Sequence, residues 1–224
     1  MAGRRTKRAG TFITLEGIEG SGKTTQASRL YRVLTANGYQ VLRTREPGGT
    51  PIAERLRVVL LDHSTEPIAP ETEALLILAA RRQHVDHVIK PALQQGMIVL
   101  CDRFFDSTLA YQGYARGLDL TLLRMMNTWA TDNLVPDLTL LFDVPVTTGL
   151  RRRHHDAAPQ NRLDREAERF HRKVRTGFLR LARREPRRIK IVDAAQPPEL
   201  TGATVEKLVL DWLHAHRSRK RSSS

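Results

Sequence analysis

GIEGSGKTT, residues 17–25, decides the fold. It follows the apolar run Thr11-Phe12-Ile13-Thr14-Leu15 and leads into a helical pattern beginning at Lys23. Gly17, Gly22, Lys23 and Thr24 match the phosphate-loop pattern Gly-x-x-x-x-Gly-Lys-[Ser/Thr], in the strand-then-helix setting that its mechanism requires. The glycines let the backbone turn its N–H groups toward phosphate oxygens, and the following helix adds the positive end of its dipole. In that reading Lys23 bridges β- and γ-phosphates and the Thr24 hydroxyl reaches Mg²⁺.

Outward from the loop, short apolar runs alternate with longer helical patterns. The runs at 11–15, 40–44 (QVLRT), 97–101 (MIVLC), 138–142 (LTLLF) and 188–192 (RIKIV) mostly lack in/out alternation, as parallel strands buried on both faces do. Helices are predicted over 23–36, 53–61, 71–94, 120–133, 165–184 and 199–214. This is βαβ logic. It predicts an α/β fold with a doubly wound, five-stranded parallel sheet flanked by helices, in one domain over 11–214.

The chain has 224 residues and a net charge of +13. Eight of the positive charges sit in acid-free ends, Arg4, Arg5, Lys7 and Arg8 in 1–10 and Arg217, Arg219, Lys220 and Arg221 in 215–224. Both ends read as disordered basic tails rather than as a nucleic-acid surface, so no nucleic-acid partner is expected. A single cysteine, Cys101, permits no intrachain disulfide, and no run is long enough to span a membrane, so a cytoplasmic protein without a membrane partner is expected. His84 and His87, and the adjacent His154 and His155, have no completing carboxylate or cysteine cluster and read as solvated faces.

Many activities share a phosphate loop. The N/T-K-x-D and D-x-x-G patterns of GTPases are absent, and the two apolar strands that end in an acid read Asp102-Arg103 and Asp143-Val144 rather than Asp-Glu. Arg103, at the carboxyl end of a central strand, offers a planar fork to an acceptor phosphate. The segments CDRFFDSTLAYQG (101–113) and TREPGGTP (44–51) bring polar, aromatic and charged groups to the same edge.

Together LEGIEGSGKTTQ (15–26), TREPGGT (44–50), AARRQHVDHVIKPAL (79–93), CDRFFDSTLAYQG, PDLTLLFDV (136–144) and RLDREAERF (162–170) closely resemble the thymidylate kinase family. The resemblance covers nearly all of the chain outside the tails. It implies a P-loop nucleotide kinase fold with a mobile lid, transfer of the γ-phosphate of ATP to thymidine 5′-monophosphate, Mg²⁺ as cofactor and a homodimer. ATP would lie on Gly17, Ile18, Glu19, Gly20, Ser21, Gly22, Lys23 and Thr24. Asp102 would help Thr24 order Mg²⁺, partly through water. Arg103 would hold the acceptor phosphate and Glu19 would approach the sugar 3′-hydroxyl. Tyr111 would crowd the 2′ position, while Arg45, Glu46 and Pro47 would complete the acceptor side. Arg81, Thr108 and Gln112 would meet the thymine edge. Ile77 stands where many relatives carry a stacking phenylalanine.

Phosphoryl transfer depends on alignment and charge neutralisation, so the arginines matter most. The loop supplies none between Glu19 and Lys23. The resemblance therefore assigns the catalytic arginine to the lid at 151–165, with Arg162 and Arg153 the first candidates beside Lys23 and Arg103. Asn161 and Asp164 replace the aspartate and glutamate commoner there. Two rival readings are a P-loop kinase for another small acceptor and a nucleotide-dependent, nucleic-acid-associated protein using the tails.

Overall fold

The computed structural model describes residues 10–62, 66–156 and 160–221. Five strands, β1 (Thr11–Glu16), β2 (Val41–Arg45), β3 (Ile98–Asp102), β4 (Leu138–Asp143) and β5 (Ile189–Asp193), form one parallel sheet in the order β2-β3-β1-β4-β5. Each lies within a residue of its predicted position. The reason is burial: β1, β3 and β4 are covered on both faces, which is what an apolar run without alternation describes. One face packs Leu15, Leu100, Leu140 and Phe178 into the larger core; the other packs Phe12, Val85, Ile89 and Phe104. Phe12 and Phe104 meet edge to face at 4.8 Å.

From β1 the chain crosses to the edge strand β2, returns to β3 beside β1, and then passes β1 to β4 and β5 on its other side. The crevice above the carboxyl end of β1 is therefore the topological switch point. Register brings Arg45 level with Asp102, Asp102 level with Leu15, and Asp143 level with Asp193. The charged strand ends thus share one edge.

Helix α1 (Lys23–Ala36) follows the loop as predicted. Helix α2 (Pro51–Leu61) starts two residues earlier than expected because Thr50 caps it, its hydroxyl accepting from Ala53 N–H at 3.1 Å, and Pro51 occupies the first turn. The single helix expected over 71–94 is α3 (Pro70–His84), a π-helical turn (Val85–Ile89) and α4 (Lys90–Gln94). Pro91 has no N–H for the His87 carbonyl, and the ladder widens before it. Helix α5 (Phe105–Thr108) and a π-helical turn (Leu109–Ala115) follow β3, then α6 (Leu120–Thr131).

Helix α7 (Val146–His154) was hidden in the sequence by its poor helix formers Thr147, Thr148 and Gly149. A 3₁₀ turn (Arg162–Arg165) precedes α8 (Glu168–Arg184), whose start is set by extended backbone at Glu166 and Ala167. Helix α9 (Pro198–Arg221) continues seven residues past the predicted end at 214, into the stretch read as a tail; no glycine or proline interrupts it there. Of the residues read as an amino-terminal tail only Gly10 is among those described, and 157–159 of the lid stretch lie outside them. Among the described residues no helix is long and apolar enough to cross a membrane.

Candidate active site

A cavity of about 700 Å³ opens at the carboxyl edge of β1 and β3, bounded by the phosphate loop, α2, α3, the 103–112 segment and the lid. Residues 19–24 of the loop line it, whereas Gly17 and Ile18 lie behind and supply carbonyls. Lys23 Nζ donates to Gly17 O (3.0 Å), Ile18 O (2.7 Å) and Ser21 Oγ (3.2 Å). Burial and the Arg103 guanidinium push the Lys23 ammonium down to about 8, against the pull of Asp102, Glu19 and Glu16. Gly20 lies so close to α7 that a Cβ there would meet Gly149 O at 1.9 Å, and its φ of +67° already suits glycine. A Cβ at Gly149 would in turn meet Glu19 O at 2.7 Å. Loop and helix are therefore seated backbone to backbone.

Arg103 has a left-handed backbone, φ +68°, held by its own N–H to Leu15 O (2.9 Å) and by Phe104 N–H to the Glu16 carboxylate (2.8 Å). This unusual turn aims the guanidinium back over the loop. Nη1 donates to Gly17 O (2.9 Å) and Ser107 Oγ (3.2 Å), and Nη2 to Glu19 Oε1 (2.9 Å). Tyr111 O–H also donates to Glu19 Oε1, at 2.5 Å, and His171 Nδ1–H to Oε2 at 3.1 Å. Burial opposes the charge on Glu19, yet Arg103, His171, Lys23 and Tyr111 together hold its carboxyl well below the usual carboxylate range.

Beneath Arg103 the buried Glu16 accepts from Phe104 N–H and, at 2.6 Å, from Ser107 O–H. Burial first, then the negative charge of Asp106, push its carboxyl up to about 8 despite Ser107, Arg103 and Phe104. Asp106 is engaged through both oxygens by Arg188, at 2.6 and 2.8 Å.

On the α3 side Arg81 is only 1% exposed. Its Nε donates to Glu46 Oε2 (2.7 Å) and its Nη1 to Thr108 Oγ1 (2.7 Å) and Asn127 Oδ1 (2.6 Å), beside the Phe104 ring. Glu46 Oε1 pairs with His84 Nδ1 at 3.1 Å, and the other ring nitrogen meets Thr44 Oγ1 at 2.7 Å. His84 is thus fully buried, correcting the solvated-face reading; the helical face that carries Arg81 also carries His84, three residues on, into the core. Gln112 donates to Glu73 at 2.7 Å, and Glu73 also accepts from Arg116 and Arg162. Ile77, Thr108, Tyr111 and Gln112 line the cavity with Arg45, Glu46 and Pro47.

Arg57 was missed in the sequence. It lines the cavity from α2 and donates to Pro47 O at 2.8 Å. Burial, Arg45 and Arg103 all disfavour its charge, more than Glu54 and Asp102 restore it. Of the other two cations, Arg45 is paired with Glu54 at 2.9 Å and Arg103 with Glu19 at 2.9 Å.

The lid arginines separate. Arg153 lines the cavity and donates to Asp164 Oδ2 at 2.8 Å. Asp164 also caps the 3₁₀ turn by accepting from Asn161 N–H (2.8 Å), while Asn161 Oδ1 accepts from Leu163 and Asp164 N–H. Asp164 is therefore the lid carboxylate that orients an arginine. Arg162 is not among the cavity-lining residues; it binds Glu73 and, at 3.1 Å, Leu60 O. Arg152, another arginine of the lid stretch, also lines the cavity and donates to Ala194 O (2.7 Å) and Ala195 O (3.2 Å).

A family model described as thymidylate kinase matches residues 15–205. The thymidylate kinase of Thermomicrobium roseum is 54% identical over 206 residues, covering 92% of this chain and 97% of that protein. That of Geotalea uraniireducens is 50% identical over 206 residues, covering 90% and 97%. Among solved structures, the thymidylate kinase of Ehrlichia chaffeensis aligns with a TM-score of 0.71 at 35% identity, covering 89% of this chain and 98% of that one.

Proposed function

The chain belongs to the thymidylate kinase family and transfers the γ-phosphate of ATP to thymidine 5′-monophosphate; we propose that donor and acceptor meet at Arg103. The observation that carries this reading is the reach of one guanidinium, from the phosphate-loop carbonyl of Gly17 to Ser107 and Glu19. In it ATP lies along 17–24 with its phosphates under Lys23. The acceptor phosphate lies among Arg103, Arg45 and Arg57. Glu19 faces the sugar 3′-hydroxyl with Tyr111 beside it, and Arg81, Thr108 and Gln112 face the base, with Ile77 against the ring.

Thr24 Oγ1 donates to Asp102 Oδ2 at 2.9 Å, and both line the cavity. These are hard oxygen donors of the kind Mg²⁺ takes, so the residues fit the ion. The chemistry supplied by an ion held there would be neutralisation of phosphate charge. The chain's own part is to align the two phosphates and to bring Arg153 and Arg162 toward the transferred group as the lid closes, excluding water. The cytoplasm, where ATP and nucleoside monophosphates meet, is the proposed location.

A homodimer is supported by an apolar face with no covering among the described residues. It comprises Val58 and Val59 on α2, Leu75 on α3, and Leu122, Met125 and Trp129 on α6, with Trp129 75% exposed. Sedimentation of the full chain tests it: a dimer is expected, and Trp129→Glu is expected to yield monomer. A monomeric parent chain overturns it.

The acceptor assignment is tested by ADP formation with thymidine, uridine and guanosine monophosphates. Strong preference for the thymidine nucleotide is expected, with Arg103→Lys lowering kcat/KM for it at least roughly 100-fold, because an ammonium cannot reproduce the fork. Comparable turnover of all three acceptors would overturn the base-side reading.

A further inference from the structure

Glu19 is held from three sides, and one of the three donors belongs to no motif. Arg103 and Tyr111 both donate to Oε1; Oε2 receives only His171 Nδ1–H among the described residues, at 3.1 Å. His171 lies on α8, 152 residues away in sequence, on the helix that follows the lid turn. It is fully buried, and its Nε2 has no hydrogen-bond partner among the described residues. An imidazole that meets a carboxylate with one nitrogen and buries the other without a partner among the described residues is not explained by packing alone, since burying the unpaired nitrogen costs free energy.

Rotation of a glutamate carboxylate about its last bond is soft. Two donors on one oxygen leave the plane of the group poorly determined; a third on the other oxygen fixes it. Helix α8 also sets the neighbouring donor, because Phe170 and Phe178 both pack edge-on against the Tyr111 ring, at 6.0 and 6.2 Å. We propose that His171 is a positioning residue for acceptor selection, holding Oε2 of Glu19 in the plane that recognises the sugar 3′-hydroxyl. The proposal rests on Glu19 being the 3′-hydroxyl contact.

The test compares kcat/KM of the full chain for thymidine 5′-monophosphate and for its 3′-deoxy analogue. His171→Phe is expected to lower the ratio of the two roughly tenfold, the scale of a hydrogen bond to a charged group, chiefly through KM of the 3′-hydroxyl substrate. His171→Asn, whose amide N–H occupies the place of Nδ1–H, is expected to restore most of it. Should His171→Phe not fold, His171→Gln carries the same measurement with a smaller expected fall. Equal loss on both acceptors, or an unchanged ratio, overturns the proposal. Glu19→Gln separates the premise: a ratio insensitive to it removes the reading of Glu19, whereas a ratio sensitive to Glu19→Gln but not to the His171 variants removes the role of His171 alone.

Discussion

Glu16 makes the stability of this chain depend on pH in a direction opposite to most carboxylates. Its carboxyl is pushed from an ordinary 4.5 up to about 8, by burial and by Asp106, while Ser107, Arg103 and Phe104 pull the other way. A group with a raised folded pKa binds its proton more tightly in the native state. Its contribution is therefore complete below about 4.5 and is lost as pH rises through about 8. Between pH 6 and pH 9 that loss is about 3 kcal/mol, or roughly 5–10 °C in Tm for a domain of this size. Glu16→Gln is an isostere of the neutral acid: its carbonyl can accept from Phe104 N–H and its amide can donate to Ser107 Oγ. The variant is expected to match the parent at pH 6 and to be more stable at pH 9. Calorimetric or chemical melts of both proteins at half-unit pH steps measure the difference in slope, which cancels the histidines and Lys23 to first order. Parallel curves for the two proteins from pH 6 to 9 would refute the reasoning.

Arg81→Met removes the cation from a buried pair and leaves Glu46 with His84 alone; denaturant melts are expected to register a loss of about 3–5 kcal/mol, with a raised KM for the acceptor. Gly149→Ala, far from the loop motif in sequence, places a Cβ 2.7 Å from Glu19 O; the displaced loop is expected to raise KM for ATP roughly 10- to 100-fold in steady-state assays. Of the lid arginines, Arg153→Ala is expected to lower kcat more than Arg162→Ala in single-turnover measurements, because Arg153 already lines the cavity on Asp164 while Arg162 is bound to Glu73. The reverse order would place the transferred charge nearer the 3₁₀ turn.

The strands and the phosphate loop were legible because burial on both faces and phosphate binding each constrain residue type along a continuous stretch. The same holds for Arg103, which sits at a strand end where the sheet order brings it over the loop. What could not be read is the set of side chains that aim these groups. Glu16 lies 87 residues from Arg103 and acts on it through Phe104 N–H and Ser107; His171 reaches Glu19 across 152 residues. Such partners have no fixed spacing, since any donor or acceptor delivered by a neighbouring element could serve; the packing of α8 against the 109–115 turn selects His171, and the turn after β3 selects Phe104 and Ser107. Glu73 is the intermediate case. Glu73, Ile77 and Arg81 recur every four residues on one face of α3, so their common direction was available from the sequence. Their depth was not, because a helical face rich in charge is normally solvated and the charge of buried Glu73 is met by Arg116 and Arg162 from later elements, with Gln112 beside them. A charged stripe therefore becomes readable as a site only when its partners of opposite sign can be located, and here the partners lie 43 and 89 residues further along the chain.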